Sequence, residues 1–597
     1  MTPLSRRHLL AASALAGGAT LLPSPAWGAM PESNPNHPDD AVNGWVTSTI
    51  ARMTPDQLLG QLFVQYAFGP TATTADKRNL PIFGVESAAE AIGKYHLGGM
   101  IYFAWSDNLA NPQQIAALSN GLQAAAPRVQ GNRTIPLQIA TDQEMGVVTR
   151  VGPPATQFPG SMALGASRDT GLARTAAAIT GKELRAMGIN VNFAPDSDVN
   201  VNAANPVIGV RSFGSKADMV AGMVAAQVTG YQTDGRVSSS TKHFPGHGDT
   251  GVDSHYGLPV ITHSREQWET IDAPPFRAAI AADVDMVMTA HLVMTAFDNS
   301  GDPATLSKPI VTGLLREQLG YRGVVITDSL EMKGVREKYG DGEVAVRALE
   351  AGVDQLLMTP SMDKALTAIK EALDSGRLSI DQIRDKVRRI LTVKYRRGMV
   401  ADPTVDVAAI PSIVGTAAHQ KTAAALTDKT ITVARNDGGV LPLKPAGKTV
   451  FVTGYGVTTT GLVASELTAR GATVTTIQTG TAPTTAQISA GTAAATAADV
   501  VVILTNKAWA NPTQTDYVKA LLATGKPVVA VAVRDPYDIN RFPEATTYVC
   551  TYSYSPVSPP ALVRVLTGEV KATAKLPVDI PTGADPNQVL YPYGHSV

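Results

Sequence analysis

The stretch Lys242-His243-Phe244-Pro245-Gly246-His247-Gly248-Asp249-Thr250, followed at once by Asp253-Ser254-His255, puts histidines and carboxylates together on one glycine-rich segment. A histidine two residues from an aspartate can donate one ring N–H to it. That bond fixes the tautomer and leaves the other nitrogen to move a proton, the orienting half of a triad without its serine. A metal site, or polar residues that only fill a loop, would draw on the same residue types. No cysteine lies nearby and no HExxH pattern occurs, which weakens the metal alternative. Residues 236–241 read as a short strand that Gly246, Gly248 and Gly251 prevent from continuing. Lys242 and His243 are therefore expected at a strand end, with Asp253 and His255 on a mobile loop beyond it.

A second segment, Gly323-Val324-Val325-Ile326-Thr327-Asp328-Ser329-Leu330-Glu331-Met332, is an apolar, β-branched run that stops at a carboxylate. A strand buried on both faces and ending in Asp is how barrel enzymes present a nucleophile or a base. An Asp after a strand also serves as the N-cap of the following helix, so this segment gains its meaning from the histidine loop.

Together these segments resemble glycoside hydrolase family 3, within it the β-N-acetylglucosaminidase branch. Further matches are Asp142-Gln143-Glu144 with Arg150 downstream, Asn192-Phe193-Ala194-Pro195, and Asn205-Pro206-Val207-Ile208-Gly209 running into Arg211-Ser212-Phe213-Gly214. Arg435-Asn436-Asp437-Gly438-Gly439-Val440-Leu441-Pro442-Leu443 matches the opening of the second domain of longer members. Where the family shows Asp-x-Glu-Gly-Gly-Arg, this chain carries Met145 and Val147 in place of the first Gly and the Arg, which alters the pocket wall beside Asp142.

The resemblance implies a retaining glycosidase that releases terminal β-linked N-acetylglucosamine from peptidoglycan fragments or chitin-type oligosaccharides. It assigns the nucleophile to Asp328, the acid/base to His255 and the orienting carboxylate to Asp253. It also assigns sugar binding to Asp142, Arg150, Arg211, Lys242 and His243. Such charged groups suit neutral hydroxyls, since they form the stronger hydrogen bonds. The residues leave roles such as structural pairing open for Arg211 and His243, and none is assigned to His291, Asp196 or Asp198. Phosphorolysis of the same glycosides, a β-glucosidase activity and a non-catalytic wall-glycan-binding role are the alternatives. No metal or organic cofactor is implied by any cluster of residues.

The elements that must position these groups follow from the apolar pattern. At 597 residues and 44% hydrophobic content, the chain can hold more than one sizeable core. Strand candidates fall at residues 60–67, 98–103, 135–141, 190–194, 237–242, 285–289, 323–327 and 353–358. Helical stretches separate them at 112–126, 170–187, 219–233, 265–282 and 341–351. That rhythm predicts an α/β fold, a (β/α)8 TIM-type barrel over residues 30–400, with the polar candidates at strand ends on one face. A long helical stretch at 362–394 and a linker at 401–420 precede a smaller α/β sandwich domain at 421–597. Its strands are expected at 449–453, 500–505, 527–533 and 548–551, and the Thr/Ala-rich residues 458–498 read as loops and surface helices. Gly454-Tyr455-Gly456 is only a fragment of a phosphate-binding fingerprint.

A net charge of −1 and a pI of about 6.8 give no electrostatic reason to expect nucleic acid or an anionic membrane surface as partner. The partner expected is carbohydrate. Ser5-Arg6-Arg7-His8-Leu9-Leu10, the apolar residues 11–22 and the small-residue site Ala26-Trp27-Gly28-Ala29 read as a twin-arginine signal peptide over residues 1–29. The apolar stretch is short of the ~20 residues of a membrane span, and Pro23 and Pro25 interrupt it. A secreted protein without a stable membrane anchor is expected. The single cysteine, Cys550, excludes an intrachain disulfide.

Overall fold

The structure, a computed structural model, describes residues 38–254 and 256–597. The expected signal peptide and His255 lie outside the described residues. Each of the eight strand candidates forms a strand: β1 (Phe63–Gln65), β2 (Gly99–Ile101), β3 (Gln138–Thr141), β4 (Val191–Asn192), β5 (Ser238–Phe244), β6 (Met286–Thr289), β7 (Val324–Thr327) and β8 (Leu356–Leu357). All are parallel and each lies beside its neighbour in sequence, while β1 also pairs with β8. The ring closes between β7 and β8 at the bridge of Ile326 to Gln355. Every residue of these strands is buried, as strands must be when side chains fill the barrel and helices cover its outside.

The helices depart from expectation where local chemistry interrupts the periodicity. The stretch 265–282 breaks at Asp272 into Arg265–Ile271 and Ala273–Ala281. Pro274 and Pro275 lack the N–H groups that a continuous helix would need, but a first turn tolerates them. The stretch 362–394 is two helices, Met362–Asp374 and Ile380–Arg396. Gly376 adopts a left-handed φ of 76°, and Ser379 restarts the helix through a capping box with Gln382. Within 401–420 the chain makes short helical turns at Val407–Ala409 and Ile410–Ile413, then enters the helix Ala417–Thr427. It is strapped to the barrel: Asn120 exchanges two hydrogen bonds with the Val405 backbone, and Glu183 accepts from Gly415 N–H.

The second domain is a six-stranded sheet of β9 (Thr432–Asn436), β10 (Thr449–Tyr455), β11 (Thr473–Thr479), β12 (Val500–Thr505), β13 (Val528–Ala532) and β14 (Thr547–Cys550). The spatial order is β9-β14-β13-β12-β10-β11, parallel except for β9. The two edge strands are the ones that the apolar pattern misses. β11 falls inside the Thr/Ala-rich stretch expected to be loops and helices. It is largely exposed, and its two apolar residues, Val474 and Ile477, are too few and too unevenly spaced among Thr and Gln to make an apolar run, although β-branched Thr favours a strand.

The domains share packing. Met162, Ala163, Ala166 and Val210 of the barrel lie in one buried cluster with Tyr537, Phe542, Leu576 and Ile580 of the second domain. Asn200 donates to the Tyr537 hydroxyl at 3.0 Å, and Arg168 donates to the Leu576 carbonyl at 3.0 Å.

Behind the barrel, Asp354 is fully buried and accepts from Arg316 (2.6 Å), Arg389 (3.0 Å) and the Val325 backbone N–H (2.8 Å). It thus joins two covering helices to β7 and the entry of β8. Removing one partner of such a group leaves buried charge uncompensated. Asp354→Asn should lower the unfolding free energy in urea by about 3 kcal/mol; a loss below about 1 kcal/mol would mean that the two arginines find other partners.

Candidate active site

The polar candidates meet where the barrel strands end. β3 delivers Asp142, Glu144 and Arg150; β4 delivers Asp196 and Asp198; the last residues of β5 are Lys242, His243 and Phe244; β7 delivers Asp328. Asp142 Oδ1 accepts from Lys242 Nζ at 2.9 Å, and Asp142 Oδ2 lies 3.4 Å from Arg150 Nη2. Glu144, to which the sequence reading gives no role, stands at the centre. It takes a bidentate pair of bonds from Arg211 (2.9 and 2.8 Å) and a 2.7 Å contact from Lys242. Burial alone would raise the Glu144 carboxyl, but the Arg211 guanidinium and the Lys242 ammonium hold it well below the usual carboxylate range. Burial likewise opposes the Lys242 charge, and Asp142 with Glu144 more than restores it.

His243 is oriented from both sides. Its Nδ1 lies 2.7 Å from Asp198 Oδ2, and Arg211 Nη2 lies 3.2 Å from its Nε2. A guanidinium only donates, so Nε2 accepts and Nδ1–H is given to Asp198. Asp198 Oδ1 also accepts the His247 backbone N–H at 2.7 Å. Burial pushes the Asp198 carboxyl up, while His243 and His247 bring it below its ordinary value. Asp196 goes the other way. Burial and the neighbouring Asp198 charge raise it well above its ordinary value, and its Oδ2 has no hydrogen-bond partner. Asp196, Asp198 and His243 bring ligand atoms within 4.8 Å of one another, but His243 Nδ1–H is given to Asp198 and Arg211 stands 3.9 Å from Asp196. The group is thus arranged as a hydrogen-bonded chain beside a resident cation.

Asp328 Oδ1 accepts the Ser329 N–H at 2.7 Å. Burial raises its carboxyl, but His243, His291 and the Ser329 N–H outweigh this and hold it below the ordinary value. It is therefore ionised at neutral pH, as a nucleophile needs. His291 lies behind it, its Nε2 2.9 Å from the Ser329 carbonyl and its Nδ1 2.8 Å from Thr305 Oγ1. Asp328 opens onto two adjoining chambers. One, of about 170 Å³, is lined by Glu144, Arg211, Lys242, His243, His247 and Ser254; the other, of about 360 Å³, by Phe103, Trp105, Met288, Glu331 and Met332. Asp142, Arg150 and Asp328 line both.

Two glycines of the histidine loop are needed for close packing. A Cβ on Gly248 would lie 1.9 Å from the Val199 carbonyl oxygen, and one on Gly246, whose φ is 130°, would lie 2.7 Å from Asp272. Both let the loop pack against backbone and side chain. Asn205 holds the His247 carbonyl at 3.0 Å, and His263 bridges Asp249 (3.1 Å) and Asp272 (2.6 Å). His247 is buried and its imidazole is pushed down to about 4, chiefly by burial. Its Nε2 lies 3.2 Å from Ser254 Oγ. Ser254, next to Asp253, lines the smaller chamber, so the loop reaches the cavity onto which Asp328 opens. The second domain also approaches here, since a Cβ on Gly209 would lie 3.2 Å from Asp535.

Six of the eight sequence candidates (Asp142, Arg150, Arg211, Lys242, His243, Asp328) thus line the two chambers. Asp253 sits on the loop that borders the smaller one, and His255 lies outside the described residues. Sequence reasoning missed Glu144, Asp198 and His291. The signal for Glu144 was its place within the Asp142-Gln143-Glu144 motif, two residues on from Asp142 and so on the same side of an extended chain. Met145, in place of the first Gly of that motif, keeps a glycine-like φ of 72°.

Two family models match the chain. One described as glycosyl hydrolase family 3 N terminal domain matches residues 78–393, and one described as glycosyl hydrolase family 3 C-terminal domain matches 431–597. A β-hexosaminidase A of Pseudoalteromonas piscicida is 37% identical over 435 residues, covering 68% of this chain and 71% of that protein. A β-N-acetylglucosaminidase/β-glucosidase of Cellulomonas fimi is 28% identical over 584 residues, covering 91% of this chain and 96% of that protein. The solved structure of a glycoside hydrolase family 3 β-N-acetylglucosaminidase from Paenibacillus sp. str. FPU-7 superimposes with a TM-score of 0.81 at 38% identity. The match covers 88% of this chain and 99% of that one.

Two outcomes test this account of the site. Glu144→Gln removes the charge that compensates Arg211 and Lys242, and should lower kcat/KM by about 100-fold or more; a variant within fivefold of the parent would show that Asp142 compensates both cations. Hydrogen bonds to Asp249 and Asp272 raise the His263 imidazole to about 10. Its stabilisation is full below the ordinary histidine value of about 6.5 and is lost as pH rises through about 10. The gap in Tm between the parent and His263→Gln should therefore shrink steadily from pH 7 to pH 10, whereas a constant gap would assign His263 a packing role alone.

Proposed function

The chain belongs to glycoside hydrolase family 3, and on that premise we propose that it is a retaining β-N-acetylhexosaminidase that removes terminal β-linked N-acetylglucosamine. The observation that carries the reading is Asp328, at the end of β7 and facing the network of Asp142, Glu144, Arg211, Lys242 and His243. Lys242, Asp142, Arg150 and Arg211 hold the hydroxyl and acetamido groups of the terminal sugar through charge-assisted hydrogen bonds. Asp328 attacks the anomeric carbon while the acid on the histidine loop protonates the departing oxygen, giving a glycosyl-enzyme ester. The same loop residue then takes a proton from water, which attacks the anomeric carbon and frees the Asp328 carboxylate. His255 is the acid/base and Asp253 its orienting partner. This reading is supported by the loop's anchorage beside the cavity, through Asp249, His247 and Ser254.

The substrate is a glycan outside the cell, either a peptidoglycan fragment or a chitin-type oligosaccharide. The twin-arginine pattern at residues 5–10 supports export, and a net charge of only −1 suits uncharged sugars.

Release of p-nitrophenol from the β-N-acetylglucosaminide and the β-glucoside, measured side by side on the purified protein, tests the activity. The acetamido sugar should be preferred, and Asp328→Asn should lower its kcat at least about 1,000-fold. Preference for the β-glucoside, or an Asp328→Asn variant that keeps most of its rate, would overturn the assignment.

A further inference from the structure

The larger chamber has a wall that the chemistry above does not use. Trp105 follows β2 and leaves 49% of its surface exposed, which is unusual for an indole bordering a buried site. It is not loose. Its ring stacks on Phe103 with centroids 4.8 Å apart and 19° between planes. Tyr66 (4.8 Å) and Phe68 (5.6 Å) meet it edge-on. Tyr66 is in turn fixed by donating to Glu331 at 2.8 Å. Three aromatic rings from the ends of β1 and β2 thus hold the indole at the mouth of the cavity.

Position says which part of a substrate meets it. The polar chamber holds the side chains that can bond a ring of hydroxyls, and Asp328 lies on the boundary of the two chambers. A sugar bound in the polar chamber with its anomeric carbon at Asp328 must direct its leaving group into the chamber that Phe103 and Trp105 line. A pyranose ring has an apolar face of C–H groups that an aromatic plane covers well, while its rim carries hydroxyls. The polar groups around that chamber are Asp142, Asp328, Glu331, Ser329 and Arg150. The one cation among them, Arg150, lies 3.4 Å from Asp142 through Nη2, while its buried Nε has no hydrogen-bond partner. Three carboxyl groups around one guanidinium make poor surroundings for a further anion.

We propose that Trp105 is the platform of the leaving-group subsite, and that this subsite selects an uncharged pyranose, a further β-linked N-acetylglucosamine, over a residue bearing a carboxylate such as muramic acid. This rests on the hexosaminidase reading and names the substrate within it.

The test compares kcat/KM on N,N′,N″-triacetylchitotriose, on the N-acetylglucosaminyl-anhydromuramic acid disaccharide, and on the β-azide of N-acetylglucosamine, whose leaving group is too small to reach the indole. The parent should favour chitotriose over the muramyl disaccharide. In Trp105→Ala the ratio of chitotriose to azide values should fall about tenfold, and Trp105→Phe should restore most of it. Residual azide turnover reports that the variant is folded. An unchanged ratio would remove the platform while leaving the activity standing, and a parent that prefers the muramyl disaccharide would overturn the selection for an uncharged ring. Turnover of none of the three would defeat the hexosaminidase reading and this proposal together.

Discussion

Two cations buried side by side at the mouth of a barrel set the terms for everything around them. Lys242 and Arg211 lie too deep for water to solvate them well, so carboxylates must do so. Glu144 meets both, Asp142 meets Lys242, and Asp196 and Asp198 stand behind. These groups arrive from the ends of three different strands. The compensation therefore operates only when β3, β4 and β5 are correctly in register, and the fold and the site depend on the same hydrogen bonds. What remains over, a ring of oriented donors and acceptors with fixed directions, is what a polyhydroxylated ligand requires for recognition.

The two halves of the chemistry are supported in contrasting ways. Asp328 sits at the end of a rigid strand, with His291 and the Ser329 N–H fixing its surroundings. The histidine loop has no regular structure of its own and is held by cross-links to its surroundings: the His247 N–H to Asp198, the His247 carbonyl to Asn205, Asp249 to His263. Since Asp198 also orients His243, the wall of the smaller chamber and the first half of the histidine loop share one carboxylate.

Much of this was legible in the sequence because the relevant signals are local. Short apolar runs ending in polar residues located all eight barrel strands, and Asp328, Lys242 and His243 stood where those runs stop. What escaped was of two kinds. Partners chosen by tertiary contact, such as Glu144 for Arg211 or Asp198 for His243, are 67 and 45 residues apart, and no local pattern links them. Edge strand β11 and the break at Gly376 escaped because an exposed strand carries no apolar stripe and because a capping box can restart a helix without a change of face. The glycines that stop the strand could be read locally, but that Gly246 and Gly248 are also needed for close approach only the neighbouring Asp272 and Val199 reveal.

The shared cluster of Met162, Ala163, Ala166 and Val210 with Tyr537, Phe542 and Leu576 bears on how the chain could be taken apart. Cutting the polypeptide after the barrel would not free an autonomous catalytic module. It would strip the cover from an apolar footprint next to the Asn205–Arg211 segment, leave Asn200 without its phenol, and offer a sticky face to other chains. The second domain is in this sense the barrel's missing wall, and a shorter version of the enzyme would have to resurface that face with polar residues before it could remain soluble on its own.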